Sequence, residues 1–370
     1  MGFTCGIIGL PNVGKSTIFN ALTSAKAASA NFPFCTIEPN TGAVPVPDPR
    51  LTKLAEMAKS QAIIPTQITF VDIAGLIRGA SKGEGLGNQF LGHIRAVDAV
   101  AHVVRCFEDD NIIHVEGRVS PIDDVETINT ELILSDLDSV QKSAARLDKL
   151  VKAGDKDAKT KHGVYQELEA HLSSGKPART FQPNVLPELL AEVAAALLTA
   201  KPTLFVANVS EHDLTKPAEV DGGRPVDKLA AYAREHGAQL VVISGQLEAE
   251  IAELPAAERA DYLKELGVTQ TGLDRLTLAG YKLLDLITFF TVGPKEAHAW
   301  TARLGTKAPQ CAGKIHTDFE KGFIRAEVIG YQDYVEAGGE VKAKEAGKLR
   351  IEGKEYVFQD GDIVHFRFNI

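Results

Sequence analysis

Short apolar runs alternate with longer stretches of helical spacing over the first three-quarters of the chain. Phe3 to Leu10 is brief and apolar and predicts a buried strand. Ser16 to Ser24 then places Ile18, Leu22 and Ala25 on one side of a helix. Gln67–Val71, Asp98–Cys106, Pro202–Val206 and Gln239–Ile243 read as further strands. Helical spacing recurs over 87–97, 226–235 and onward to about Asp285. Strands alternating with helices predict a layered α/β domain with a mixed, mostly parallel sheet.

Two stretches break that rhythm. From Asp124 a long helical pattern passes through Leu132, Leu137, Val140, Leu147 and Leu150. Two more follow, near 162–172 and 185–198. That is far more helix than one crossover needs, so 127–200 is expected to be a helical insertion forming a projecting hairpin. After Asp285 the pattern shortens again. Leu286–Val292, Phe323–Ile329, Lys348–Ile351, Tyr356–Phe358 and Ile363–Phe368 predict short strands separated by Gly or Asp-Gly turns. The expected division is 1–126 with 201–284, an inserted 127–200, and a small α+β domain over 285–370.

Composition narrows the class. The 370 residues are 44% hydrophobic and 24% charged, values of an ordinary soluble globular protein. No window approaches the ~20 apolar residues of a membrane span, so no membrane partner is expected. Cys5, Cys35, Cys106 and Cys311 form no C-x-x-C pair, which argues for a cytoplasmic location and against a zinc site. The net charge of −9 advertises no nucleic-acid binder. Yet 141–181 holds nine Lys or Arg against five Asp or Glu, which is either a basic patch or a solvated helix face.

The chemistry sits in five segments. Gly9-Leu10-Pro11-Asn12-Val13-Gly14-Lys15-Ser16-Thr17 matches G-x-x-x-x-G-K-[ST], between a strand and a helix as the phosphate-binding loop requires. Its glycines let successive N–H groups, including those of Val13, Gly14 and Thr17, face phosphate oxygens. Lys15 would reach the β- and γ-phosphates, and the Ser16 hydroxyl would sit on Mg²⁺. The Pro-rich loop over 31–40 carries Thr36, a hard-cation ligand or an ordinary turn residue. Asp72-Ile73-Ala74-Gly75 ends a strand, with Asp72 suited to the Mg²⁺ shell and the Gly75 N–H to the γ-phosphate. Asn208-Val209-Ser210-Glu211 stands where a GTPase carries N-K-x-D, and Ser244-Gly245 stands where the base-closing S-A loop would be.

Base choice follows from the fourth segment. In N-K-x-D the aspartate accepts from guanine's N1–H and amine, and the lysine stem packs along the base. Here Val209 replaces the lysine and Glu211 the aspartate. Asn208 and the Val209 backbone are expected to line the base. Adenine's edge reverses guanine's donors and acceptors, and unpaired polar groups discriminate strongly. ATP is therefore expected over GTP, the alternative being a GTP-specific ribosome-assembly GTPase.

PNVGKST, NFPFCTIEPN, DIAGLIRGASKGEGLGNQFL, NVSE, HTDFEKGFIRAEVI and DGDIVHFRFN together resemble the YchF branch of the Obg family, the Obg-like ATPases. The resemblance spans essentially the whole chain. It implies a P-loop G domain, an inserted coiled-coil hairpin, a C-terminal TGS domain of β-grasp type, and an ATPase that associates with ribosomes; a monomer with slow turnover is expected. Leu76 follows D-x-x-G where many GTPases keep a water-positioning glutamine. The resemblance points instead to His114 as the catalytic group beside Lys15. It also gives Asn12 a K⁺-holding role, against which a plain turn role stands equally open.

Overall fold

A computed structural model describes residues 2–27, 40–73, 86–115, 117–219, 222–268 and 270–369. In chain order the strands are β1 (Thr4–Ile8), β2 (Thr41–Pro45), β3 (Ala62–Ile64), β4 (Gln67–Asp72), β5 (Ala99–Arg105), β6 (Thr203–Asn208), β7 (Gln239–Ile243), β8 (Leu286–Val292), β9 (Glu296–Arg303), β10 (Phe323–Gly330), β11 (Arg350–Glu352) and β12 (Asp362–Phe368). They form two six-stranded sheets, ordered β2-β4-β1-β5-β6-β7 and β11-β10-β12-β8-β9-β3. In the first, β4/β1, β1/β5, β5/β6 and β6/β7 are all parallel. Every residue of β5 is buried, as expected of a strand covered on both faces.

The first compact unit comprises Phe3–Gly42 and Thr69–Gly280, the second Ala43–Ile68 and Tyr281–Ile370. These units differ from the expected division at residues 43–68 and at 281–284. Residues 43–68, read as part of the first domain, pack in the second unit. The helix Pro49–Ala58 opens with Asp48 as its N-cap and Pro49 in its first turn. It buries Leu51, Leu54 and Ala55 against Phe290, Ala297 and Ala299, while β3 runs parallel to β9. The opposite face of this second sheet is closed by an aromatic core around Phe289, Phe358 and Phe366. Tyr356–Phe358 is not a strand: Val357 makes only an isolated bridge to Lys307.

The insertion is a helical hairpin in the described residues. The helix Pro121–Lys152 turns through Ala153–Asp155 into the helix Lys156–Ser173. A connection that short makes the two antiparallel neighbours. Val140, Val164, Leu168 and Leu172 form part of their shared core. The base is closed by Asp136, which is fully buried and accepts from the Leu198 N–H (2.8 Å), the Thr199 N–H (2.8 Å) and the Thr199 hydroxyl (2.6 Å).

A buried base inside β5 makes the first unit acid-sensitive. Burial pushes the His102 imidazole down to about 3, and the Arg179 and Lys15 charges add to the shift. The unfolded chain takes up this proton below about pH 6.5, whereas the folded chain does so only near 3. Stability therefore rises with pH across that window. Urea unfolding should show the wild type losing about 2 kcal/mol more than His102→Phe between pH 6.5 and 4.5.

Candidate functional site

The phosphate loop leaves β1 at Gly9, whose φ of 156° suits no Cβ: one placed there would lie 2.4 Å from the Val103 carbonyl oxygen. Gly14, at φ 95°, is fixed by a second contact, since its Cβ would fall 2.2 Å from Asn208 Nδ2. The first helix then starts at Lys15, so loop N–H groups and a helix N-terminus face the same space. Lys15 is 7% exposed and its ammonium donates to the Leu10 carbonyl at 2.7 Å. Burial lowers its pKa, with the Asp72 carboxylate opposing the shift.

Asn208 joins three segments that are far apart in sequence. Its amide Nδ2 donates to the Val13 carbonyl at 2.9 Å, and its Oδ1 accepts from the Gly245 N–H at 2.9 Å. The expectation that Asn208 lines the base is thus sharpened. It borders the cavity, but its polar atoms tie the phosphate loop to the 244–245 turn. The Val209 side chain sits in the core and its N–H donates to the Ile243 carbonyl at 2.8 Å, while the residue also borders the cavity. Glu211 stays exposed at the start of a short helix. Ser244 caps the following helix, Gly245–Glu253.

These segments enclose a cavity of about 660 Å³, within the range of small-molecule sites. Its phosphate end is formed by Gly14, Lys15, Ser16 and Thr17, its far end by Val209, Glu211 and Ser244. A wall that the motifs do not name comes from Phe107, Asp109 and Ile112, after β5. Arg105 builds that wall. It is 2% exposed and donates to the carbonyls of Phe107 (3.1 Å), Ile112 (2.9 Å) and Asp109 (3.2 Å), with its guanidinium over the Phe107 ring. Five fixed donors suit such a staple where a lysine would not. The signal in the sequence is one arginine inside an otherwise apolar strand.

Ser16 and Asp72 meet as the motifs require, with the Ser16 hydroxyl donating to Asp72 Oδ2 at 3.1 Å. Asp72 Oδ1 is buried and has no hydrogen-bond partner among the described residues. A hydroxyl and a carboxylate with a spare oxygen fit Mg²⁺, which usually takes one or two protein ligands beside phosphates and waters. Mg²⁺ held there would neutralise charge on the phosphates. Thr36, Gly75 and Leu76 lie outside the described residues.

A family model described as a 50S ribosome-binding GTPase matches residues 4–138. One for the C-terminal part of YchF GTPases, described as a protein of unknown function, matches 286–369. The ribosome-binding ATPase YchF of Bacillus subtilis is 54% identical over 370 residues, all of both chains. The chain belongs to the YchF family. The ribosome-binding ATPase YchF of Escherichia coli O157:H7 is 53% identical, again over all of both chains. The solved YchF GTPase of Schizosaccharomyces pombe superposes with a TM-score of 0.88 at 38% identity, covering 99% of this chain and 98% of that one.

Two residues that the YchF resemblance singles out stand in unexpected settings. Asn12 adopts φ 61° and its Nδ2 donates to the Ile113 carbonyl at 3.1 Å, tying the phosphate loop to the loop after β5. His114 is only 8% exposed and is not part of the cavity wall. Its Nε2 lies 3.0 Å from Asp124 Oδ2. Among the described residues, Lys15, Ser16, Asn208, Glu211 and Ser244 thus line one cavity with Asp72 bound to Ser16, and His114 is not in that lining.

Proposed function

We propose that this YchF-family chain binds ATP with Mg²⁺ in the cavity above the phosphate loop, hydrolyses it slowly, and uses the nucleotide state to control ribosome binding. The observation that carries this reading is the whole-length kinship with proteins named ribosome-binding ATPases, joined to a cavity built on G-x-x-x-x-G-K-S. Lys15 would leave the Leu10 carbonyl for the β- and γ-phosphates. Ser16, Asp72 and Thr36 would hold Mg²⁺, and the Gly75 N–H would meet the γ-phosphate. Asn12 would offer its carbonyl oxygen to K⁺, a role that equal rates in K⁺ and Na⁺ would remove. His114 would activate the attacking water.

A GTPase reading draws on the words "GTPase" in one family model and in the Schizosaccharomyces pombe structure. Against it stand a Val209 buried in the core, which leaves no lysine stem along the base, and a longer carboxylate at Glu211. The ribosome would be met by the hairpin and by the C-terminal unit, which we read as a TGS domain of β-grasp type. A ribosomal partner would put the protein in the cytoplasm, and we read it as a monomer.

Near the hairpin tip Arg146, Lys149, Lys152, Lys156 and Lys159 are exposed. A clustered cationic tip on an acidic protein is suited to rRNA phosphates. Co-sedimentation should recover more ATP-bound than empty protein with ribosomes. Reversing Lys149, Lys152 and Lys156 to Glu should cut recovery by about tenfold or more in low salt. Equal recovery of the empty and ATP-bound forms would contradict nucleotide control.

A further inference from the structure

The pairing of His114 with Asp124 has a location that matters. Asp124 is the fourth residue of the helix Pro121–Lys152, and its own N–H bonds to the Ser120 carbonyl at 3.0 Å. The first turn of that helix favours an anionic side chain. The side chains of His114 and Asp124 are 5% and 2% exposed, so the contact is shielded from water. One hydrogen bond thus joins the imidazole Nε2 to the carboxylate. The same helix is the long arm of the hairpin, about 48 Å of continuous rod at 1.5 Å per residue.

We propose that Asp124 is a positioning residue for hydrolysis: its carboxylate holds the His114 ring outside the nucleotide cavity, and the hairpin arm that carries it is the lever that lets the ring go. The inference rests on His114 being the water-activating group. Ring and cavity are close in sequence terms, since Ile112 is part of the wall and the Ile113 carbonyl is bound by Asn12. A small displacement of this loop would carry the ring toward the phosphates once the carboxylate no longer holds it. Removing Asp124 would leave a buried imidazole without that acceptor, which disfavours the withdrawn position.

Steady-state ATP hydrolysis without ribosomes tests this. Asp124→Ala should raise kcat about fivefold or more with KM for ATP unchanged, as loss of one buried hydrogen bond shifts a two-state equilibrium. Asp124→Asn, which keeps an acceptor oxygen of the same reach, should stay near the wild type. The double variant His114→Ala with Asp124→Ala should fall to the rate of His114→Ala. An unchanged or lowered kcat in a folded Asp124→Ala protein would overturn the proposal. His114→Ala at the wild-type rate would instead overturn the reading of His114 itself. Carbethoxylation of the free wild type gives a second readout independent of any variant. His114 should label far more slowly than His212, whose side chain is 78% exposed, and equal rates would refute the withheld position.

Discussion

Lys15→Met should leave a folded protein whose ATP turnover is lower by about 10²–10³, the usual cost of removing one preorganised donor to a charge that develops in the transition state. The lysine is nearly buried at the phosphate end of the cavity, with its ammonium on the Leu10 carbonyl. Burial lowers its pKa, so keeping the charge there is costly unless an anion arrives to meet it. Methionine preserves the stem and the packing while removing the charge. Phosphate release under saturating ATP gives the rate, and a thermal melt without nucleotide checks the fold. A melt close to the wild type with turnover lost places the role in chemistry. Turnover retained would remove Lys15 from the mechanism.

His114→Ala should lower kcat by about 10²-fold or more while ATP affinity changes little, the pattern of a group that acts in proton transfer rather than in binding. The separation of binding from turnover follows from position. The ring does not border the cavity, so ground-state ATP would gain nothing from it. Titration with a non-hydrolysable ATP analogue gives the affinity, and a single-turnover assay gives the chemical step. A parallel loss of affinity and rate would point to a collapsed loop instead. An unchanged rate would mean that water is activated elsewhere.

How far the fold could be read from sequence depended on whether the reason was local. Strands β1, β4, β5, β6 and β7 announced themselves through short apolar runs, whereas β2 and β3 did not, and β7 begins and ends at the expected residues. The phosphate loop was legible because glycine geometry, lysine and hydroxyl must occur together. The segment 43–68 was not legible, because its partners Phe290 and Ala297 lie more than 200 residues away and local spacing cannot name them. Tyr356–Phe358 carries strand-like residues, but its ring at Phe358 belongs to the aromatic core rather than to a ladder.

The site divides in the same way. Ser16 with Asp72 was foreseen from chemistry and found at hydrogen-bond distance. The tie that Asn208 makes between Val13 and Gly245 is tertiary, and its motif gave only its presence. Arg105 was missed although its type was the clue: a cation inside an apolar strand must find acceptors, and three backbone carbonyls supply them. The withdrawn setting of His114 could not be read at all, since nothing in the spacing of His114 and Asp124 says whether the pair faces a ligand or the core.

Everything in the proposed function depends on which purine the cavity takes. The most direct measurement is a pair of calorimetric titrations, ATP and GTP each with Mg²⁺ and with hydrolysis blocked by non-hydrolysable analogues. The account predicts that the adenosine compound binds about tenfold tighter or more, as expected when polar edges match one base and oppose the other. Equal affinity, or tighter binding of the guanosine compound, would contradict it.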